Sequence, residues 1–123
     1  MKRVLLVDDD DRLREATEEL LTGEGFSVTT ARDGSEALAL LSTQTVDVIL
    51  CDLFMPGKDG LETIRHMRTQ FAQVPVIAMS GGAYHGQMDV LRVAKHMGAA
   101  EALAKPFKLA DLVRSIERVL TTR

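Results

Sequence analysis

Residues 3–11 read Arg3-Val4-Leu5-Leu6-Val7-Asp8-Asp9-Asp10-Asp11, and this stretch decides the fold. Arg3 to Val7 is a short, branched, apolar run without alternation. That is the pattern of a strand buried on both faces, as in a parallel sheet. Four aspartates follow at once. Asp10 and Asp11 read as a solvated acidic run opening a helix, where carboxylates are favourable against the dipole. Asp8 and Asp9 fit that reading poorly, because they follow directly on the buried strand. They are candidates for chemistry.

Working outward, strand-like and helix-like patterns alternate to the end of the chain. Leu13, Ala16, Leu20 and Leu21 recur at helical spacing, and Gly23 and Gly25 stop the pattern. Phe26 to Thr30 reads as a strand. Asp33 followed by Glu36 resembles a capping box, opening a helix with Ala37, Leu38 and Leu41 inward. Val46 to Cys51 is a third strand, with Asp47 near its start. Pro56-Gly57 marks a loop, and Asp59 is a good N-cap for a helix carrying Leu61, Ile64 and Met67. Val74 to Met79 is the fourth strand. Met88, Leu91, Ala94 and Met97 share a helical face that Gly98 ends. Ala102 to Ala104 is a weak fifth strand. Leu109, Leu112, Val113, Ile116, Val119 and Leu120 form the last stripe.

Five strands alternating with five helices predict an α/β domain with a parallel sheet. Right-handed crossovers make it doubly wound, with helices on both faces. The flavodoxin-like strand order 2-1-3-4-5 fits the length of 123 residues. No linker or repeat interrupts the chain, so residues 1–123 read as one domain. At this size no metal or disulfide is needed to hold the core.

Composition excludes several function classes. Lys plus Arg is 15 and Asp plus Glu is 18, so the chain is slightly acidic, at −3, and lacks the basic footprint of a nucleic-acid binder. The lone Cys51 cannot form an internal disulfide. Apolar runs fall far short of the roughly 20 residues that span a bilayer. Met1-Lys2-Arg3 before Val4–Val7 imitates a signal peptide, but its apolar part is too short. The expectation is a cytoplasmic domain without membrane or nucleic-acid contacts.

In such folds ligands bind at the carboxyl ends of the strands. Asp8-Asp9 ends strand 1, Asp52 strand 3 and Ser80 strand 4, and Lys105-Pro106 follows strand 5. The proposed order makes these four strands lateral neighbours. Asp8, Asp9 and Asp52 carry −3 and Lys105 +1, leaving −2, which one divalent cation cancels. Oxygen donors with retained waters suit Mg²⁺ better than Zn²⁺. Carboxylate, Mg²⁺, lysine and hydroxyl together make a phosphoryl-handling set, in which an Asp can be the nucleophile. Cys51, Met67 and Met79 read as core filler. His66, His85 and His96 have no paired spacing for a metal.

Val7-Asp8-Asp9, Asp52-Leu53-Phe54-Met55-Pro56-Gly57, Ser80 and Lys105-Pro106-Phe107 resemble the signature of response-regulator receiver domains, in order and approximate spacing across essentially the whole chain. The resemblance implies a role for each residue. Asp52 would accept a phosphoryl group from a histidine kinase or a histidine phosphotransfer protein. Asp9 and Asp52 would ligate Mg²⁺ directly, with the Phe54 backbone carbonyl, and Asp8 would act through a metal-bound water. Ser80 and Lys105 would each contact a phosphoryl oxygen. A cis peptide between Lys105 and Pro106 is a further family feature. The implied protein is a signalling switch acting on a downstream protein partner, not a metabolic enzyme. Within this chain it is expected to be a stand-alone regulator or a receiver cut from a longer protein.

Two departures stand out. Receiver domains usually carry Tyr or Phe three residues before the lysine, and here that position is Ala102, so the usual aromatic toggle cannot operate. The stretch Gly81–Gln87 is glycine-rich and holds Tyr84, the one tyrosine. Phe54 and Gly82 offer no hydrogen-bonding side chain to hold a hydrolytic water, so slow dephosphorylation is expected. Two rivals are a receiver-like scaffold that works without phosphorylation and a haloacid-dehalogenase-like phosphohydrolase. The latter would use Asp8-x-Asp10, with Asp111 as its nearest later acid.

Overall fold

The structure, a computed structural model, describes residues 1–53, 60–80 and 87–121, with side chains for all of these except 87–91. Strands β1 (Arg3–Val7), β2 (Ser27–Ala31), β3 (Val48–Asp52), β4 (Val76–Ser80) and β5 (Glu101–Ala104) alternate with helices α1 (Asp11–Gly23), α2 (Gly34–Thr43), α3 (Gly60–Gln70), α4 (Gln87–His96) and α5 (Leu109–Thr121). All neighbouring strands are parallel, in the order β2-β1-β3-β4-β5. The flavodoxin-like, doubly wound architecture expected from the alternation is the one observed.

Each central strand is apolar on both faces because each face meets helices. Leu5, Val7, Ile49, Cys51 and Ala78 pack with Ala37 and Leu41 of α2, Ile64 and Met67 of α3, and Ala94 of α4. Val4, Leu6, Leu50, Ile77 and Met79 pack with Leu21 of α1 and Leu112, Ile116 and Val119 of α5. The stripes predicted on α2, α3 and α5 therefore face inward. Met88 and Leu91 lie outside the described side chains, and Asp59 outside the described residues.

Helix α1 differs from its expected face. Leu13 (39% exposed), Ala16 and Leu20 (52%) point to solvent, and the inward side runs through Arg14, Thr17 and the buried Leu21. Leu20 and Leu21 are adjacent, about 100° apart around the helix, so only one can face the sheet. Leu21 wins, and Thr17 and Arg14 occupy the inward positions one and two turns earlier. Asp10 is the N-cap, its side chain accepting from the Leu13 amide at 3.1 Å. Gly25, at φ 95°, ends α1, where the Phe26 amide donates to Leu21 O at 3.1 Å and that of Gly25 to Thr22 O at 3.1 Å.

Strand boundaries shift by one or two residues. Strand β3 begins at Val48 because Asp47 is spent on a two-point clamp. Its amide donates to Arg3 O (2.8 Å) and its carboxylate accepts from the Arg3 amide (2.7 Å). The Asp33 cap accepts from the Glu36 amide at 2.8 Å, but the Glu36 carboxylate reaches back to the Arg32 amide, so the box is only half of the expected reciprocal pair.

Candidate functional site

Sheet register places the site. Val7 pairs with Cys51, so Asp8 and Asp52 stand side by side one step further on. Asp52 pairs with Met79, which sets Ser80 one residue beyond it. Ser80 pairs with Ala104, and the next residue is Lys105. Three parallel pairings thus bring residues 97 positions apart to one edge without any contribution from local sequence.

The side chains converge as the register demands. Ligand atoms of Asp8, Asp9 and Asp52 all lie within 4.8 Å of one another. Asp8 and Asp52 are buried and Asp9 is exposed. Lys105 Nζ lies 3.1 Å from Asp8 Oδ2 and 3.5 Å from Asp52 Oδ2, with only 16% of its side chain exposed. The Lys105 amide donates to Ser80 O at 2.7 Å, joining the ends of β4 and β5, and Ser80 is fully buried. The Lys105–Pro106 peptide is cis. Among the predicted residues, Asp8, Asp9, Asp52, Ser80 and Lys105 therefore occupy one end of the sheet. Phe54, Gly82 and Tyr84 lie outside the described residues.

The donor set fits a hard divalent cation. It offers carboxylate oxygens from three residues, and one ammonium leaves the group at −2. Oxygen ligands of this kind suit Mg²⁺. Cys51, immediately before Asp52, faces the other way into the core. Burial, then the Asp52 and Asp8 carboxylates, push its thiol up to about 12. Of the acids in the phosphohydrolase reading, Asp8 lies in the site, whereas Asp10 and Asp111 are engaged elsewhere. Asp10 caps α1, and Asp111 pairs with Arg114 at 2.6 Å on α5.

Arg14 is the residue sequence reasoning passed over. Its Nη1 donates to the Asp8 carbonyl oxygen at 2.9 Å and its Nη2 to Asp11 Oδ1 at 2.6 Å. The available signal was an arginine one turn after the acidic run, three residues from Asp11.

Ala102 sits half-buried on β5 and packs against the core on the side of α2, α3 and α4. No described helix is long and apolar enough to cross a membrane.

Comparison with known proteins agrees with this geometry. The family model of the response regulator receiver domain matches residues 4–117. The transcriptional regulatory protein CpxR of Klebsiella pneumoniae is 42% identical over 120 residues, covering 98% of this chain and 50% of CpxR. The chain spans between a quarter and a half of the curated relatives it matches. The receiver domain of NtrX from Brucella abortus superposes with a TM-score of 0.90 at 31% identity, covering 98% of this chain and 99% of that one. The response regulator TrrA of Thermotoga maritima, in complex with Mg²⁺ and BeF, gives a TM-score of 0.84 at 31% identity over 98% of this chain and 100% of that one. With sequence matched from Val4 to Glu117 and the whole sheet shared, this chain belongs to the response regulator receiver domains of two-component signalling.

Proposed function

We propose that residues 1–123 act as one receiver domain that takes a phosphoryl group on Asp52. The observation that carries this reading is the Asp8–Asp9–Asp52 cluster within 4.8 Å, crossed by Lys105. Asp52 is the nucleophile because it lies at the centre of the sheet edge, between Asp8 and the Ser80–Lys105 pair. A carboxylate oxygen of Asp52 forms the new bond to phosphorus as the bond from phosphorus to the donor nitrogen breaks. The Lys105 ammonium would neutralise, and the Ser80 hydroxyl would hydrogen-bond, the phosphoryl oxygens.

Asp8, Asp9 and Asp52 would hold Mg²⁺, with the Phe54 carbonyl as a further ligand. Bound there, the ion supplies positive charge for the transferring group. The donor is a histidine kinase or histidine phosphotransfer protein, the setting is cytoplasmic, and the output is altered binding of a protein partner. Neither nucleic acid nor membrane is contacted by this domain, which serves as a switch and not as a metabolic enzyme. Ala102 removes the aromatic toggle, so transmission runs through the stretch after Ser80 and through α4.

The test is incubation with Mg²⁺ and a small phosphodonor such as acetyl phosphate, read by intact mass. Parent protein should gain one phosphoryl group and Asp52→Asn none. Asp9→Asn should slow the reaction and weaken Mg²⁺ binding. Undiminished phosphorylation of Asp52→Asn would remove Asp52 as the acceptor. Absence of phosphorylation with partner binding intact would favour the phosphorylation-independent scaffold.

A further inference from the structure

We propose that Arg14 is a positioning residue of the acidic site: its guanidinium fixes the main chain at Asp8 and thereby sets where the Asp8 and Asp9 carboxylates meet a divalent cation. The proposal rests on the Mg²⁺ reading above. Arg14 stands in the first turns of α1 among exposed neighbours, Asp11, Arg12 and Leu13, yet only 12% of its side chain is exposed. It is turned inward by two hydrogen bonds of one planar group, to the Asp8 carbonyl (2.9 Å) and the Asp11 carboxylate (2.6 Å). A guanidinium presents its donors in a rigid fork, so these two bonds fix an angle as well as a distance. They tie the end of β1 to the first turn of α1 across the Asp9–Asp10 link.

With Arg14 in place, each polar atom of Asp8 has a partner. Its amide donates to Ala31 O at 3.1 Å. Oδ1 accepts from the Asp10 amide at 3.0 Å, and Oδ2 from Lys105 at 3.1 Å. The carbonyl oxygen accepts from Arg14. Asp9 is exposed and stands between Asp8 and Asp10, whose backbones are both held. Its carboxylate is aimed by that short stretch of chain. The bond to the Asp8 carbonyl comes from outside the sheet and the cap, from a side chain six residues along.

Electrostatics makes the test a matter of sign. A positive charge beside an acidic site opposes cation binding. If Arg14 were only a neighbouring charge, removing it would tighten Mg²⁺ binding. If it positions Asp8 and Asp9, removing it loosens binding, as happens when partners behind metal ligands are lost.

Mg²⁺ is titrated calorimetrically into the full chain, the parent first. No binding by the parent means that the Mg²⁺ reading has failed, and this proposal falls with it. Given binding by the parent, Arg14→Gln is expected to bind Mg²⁺ about tenfold more weakly. Affinity equal to or tighter than that of the parent overturns the positioning role. Arg14→Lys keeps the charge but replaces the fork with a single ammonium, and should fall between the two. Should circular dichroism show that Arg14→Gln does not fold, Arg14→Lys decides alone. Weaker binding then supports the proposal, and parental affinity overturns it.

Discussion

Lys105 reaches from the end of β5 to Asp8 at the end of β1, its ammonium 3.1 Å from Oδ2 of a carboxylate that is nearly fully buried. The same ammonium lies 3.5 Å from Asp52, so one lysine spans two acids that the sheet register has set side by side. Removing one partner of a buried charge pair leaves the others uncompensated. Lys105→Met should therefore cost stability in Mg²⁺-free buffer, about 2 kcal/mol given that the lysine is partly exposed. Mg²⁺ should then stabilise the variant more than the parent. Thermal unfolding with and without the ion measures both, and an unchanged midpoint without Mg²⁺ would sink the idea.

Gly60 opens α3 directly against the residue that follows Asp52. A Cβ there would lie 2.5 Å from both Leu53 Cα and Leu53 O, which are backbone atoms that cannot swing aside. Gly60→Ala should push the first turn of α3 away from Leu53, cost about 1–3 kcal/mol, and slow phosphoryl acceptance at Asp52. Gly23, at the end of α1, has nothing within 4 Å of the same added atom, so Gly23→Ala serves as the sterically free control. Urea unfolding of the two variants should separate them; equal stability would show that the close approach carries no constraint.

Glu101 and α5 form a pH-sensitive link. The Arg118 guanidinium donates two hydrogen bonds to Glu101, at 2.9 and 2.8 Å, and the buried Ser115 hydroxyl donates another at 2.7 Å. The Arg118 bonds hold the carboxyl below its ordinary 4.5; burial opposes them and Ser115 reinforces them. A lowered value in the folded state means stability that is present above the unfolded value and lost as the pH falls through the folded one. Glu101→Gln should cost under about 1 kcal/mol at neutral pH, because Arg118 is half-exposed, and progressively less in acid. Urea midpoints of parent and variant should converge as the pH drops below the ordinary carboxylate range; a gap that widens instead is the contrary result.

Cys51 provides an internal probe of β3. Its thiol is fully buried and pushed up to about 12. Thiolate, the reactive form, is then scarce at neutral pH and out of reach of reagents. Labelling by an aromatic disulfide reagent should be at least roughly 100-fold slower in the native protein than in denaturant, tracking the opening of the central sheet. Fast stoichiometric labelling of the folded protein would mean that β3 is accessible.

The order of elements and the identity of the site residues were legible in the sequence because both are local properties. Unbroken apolar runs mark strands buried on two faces, and polar residues directly after them mark the strand ends. Asp8, Asp9, Asp52, Ser80 and Lys105 could be named in this way, and the alternation of elements implied that they share one edge. What the sequence could not supply was the choice among equivalent local patterns. Leu13, Ala16 and Leu20 have helical spacing as good as that of the inward side of α1. Burial of Leu21 in the cluster that also holds Val4 and Leu6, and the bonds from Arg14 to Asp8 and Asp11, turn that stripe outward. Such a contest is settled by contacts between segments far apart in the chain, whose energies no window of sequence contains. The 3.1 Å contact between Lys105 and Asp8 has the same origin: composition and order determine that both residues exist at strand ends, and only the parallel register of β1, β3, β4 and β5 brings them together.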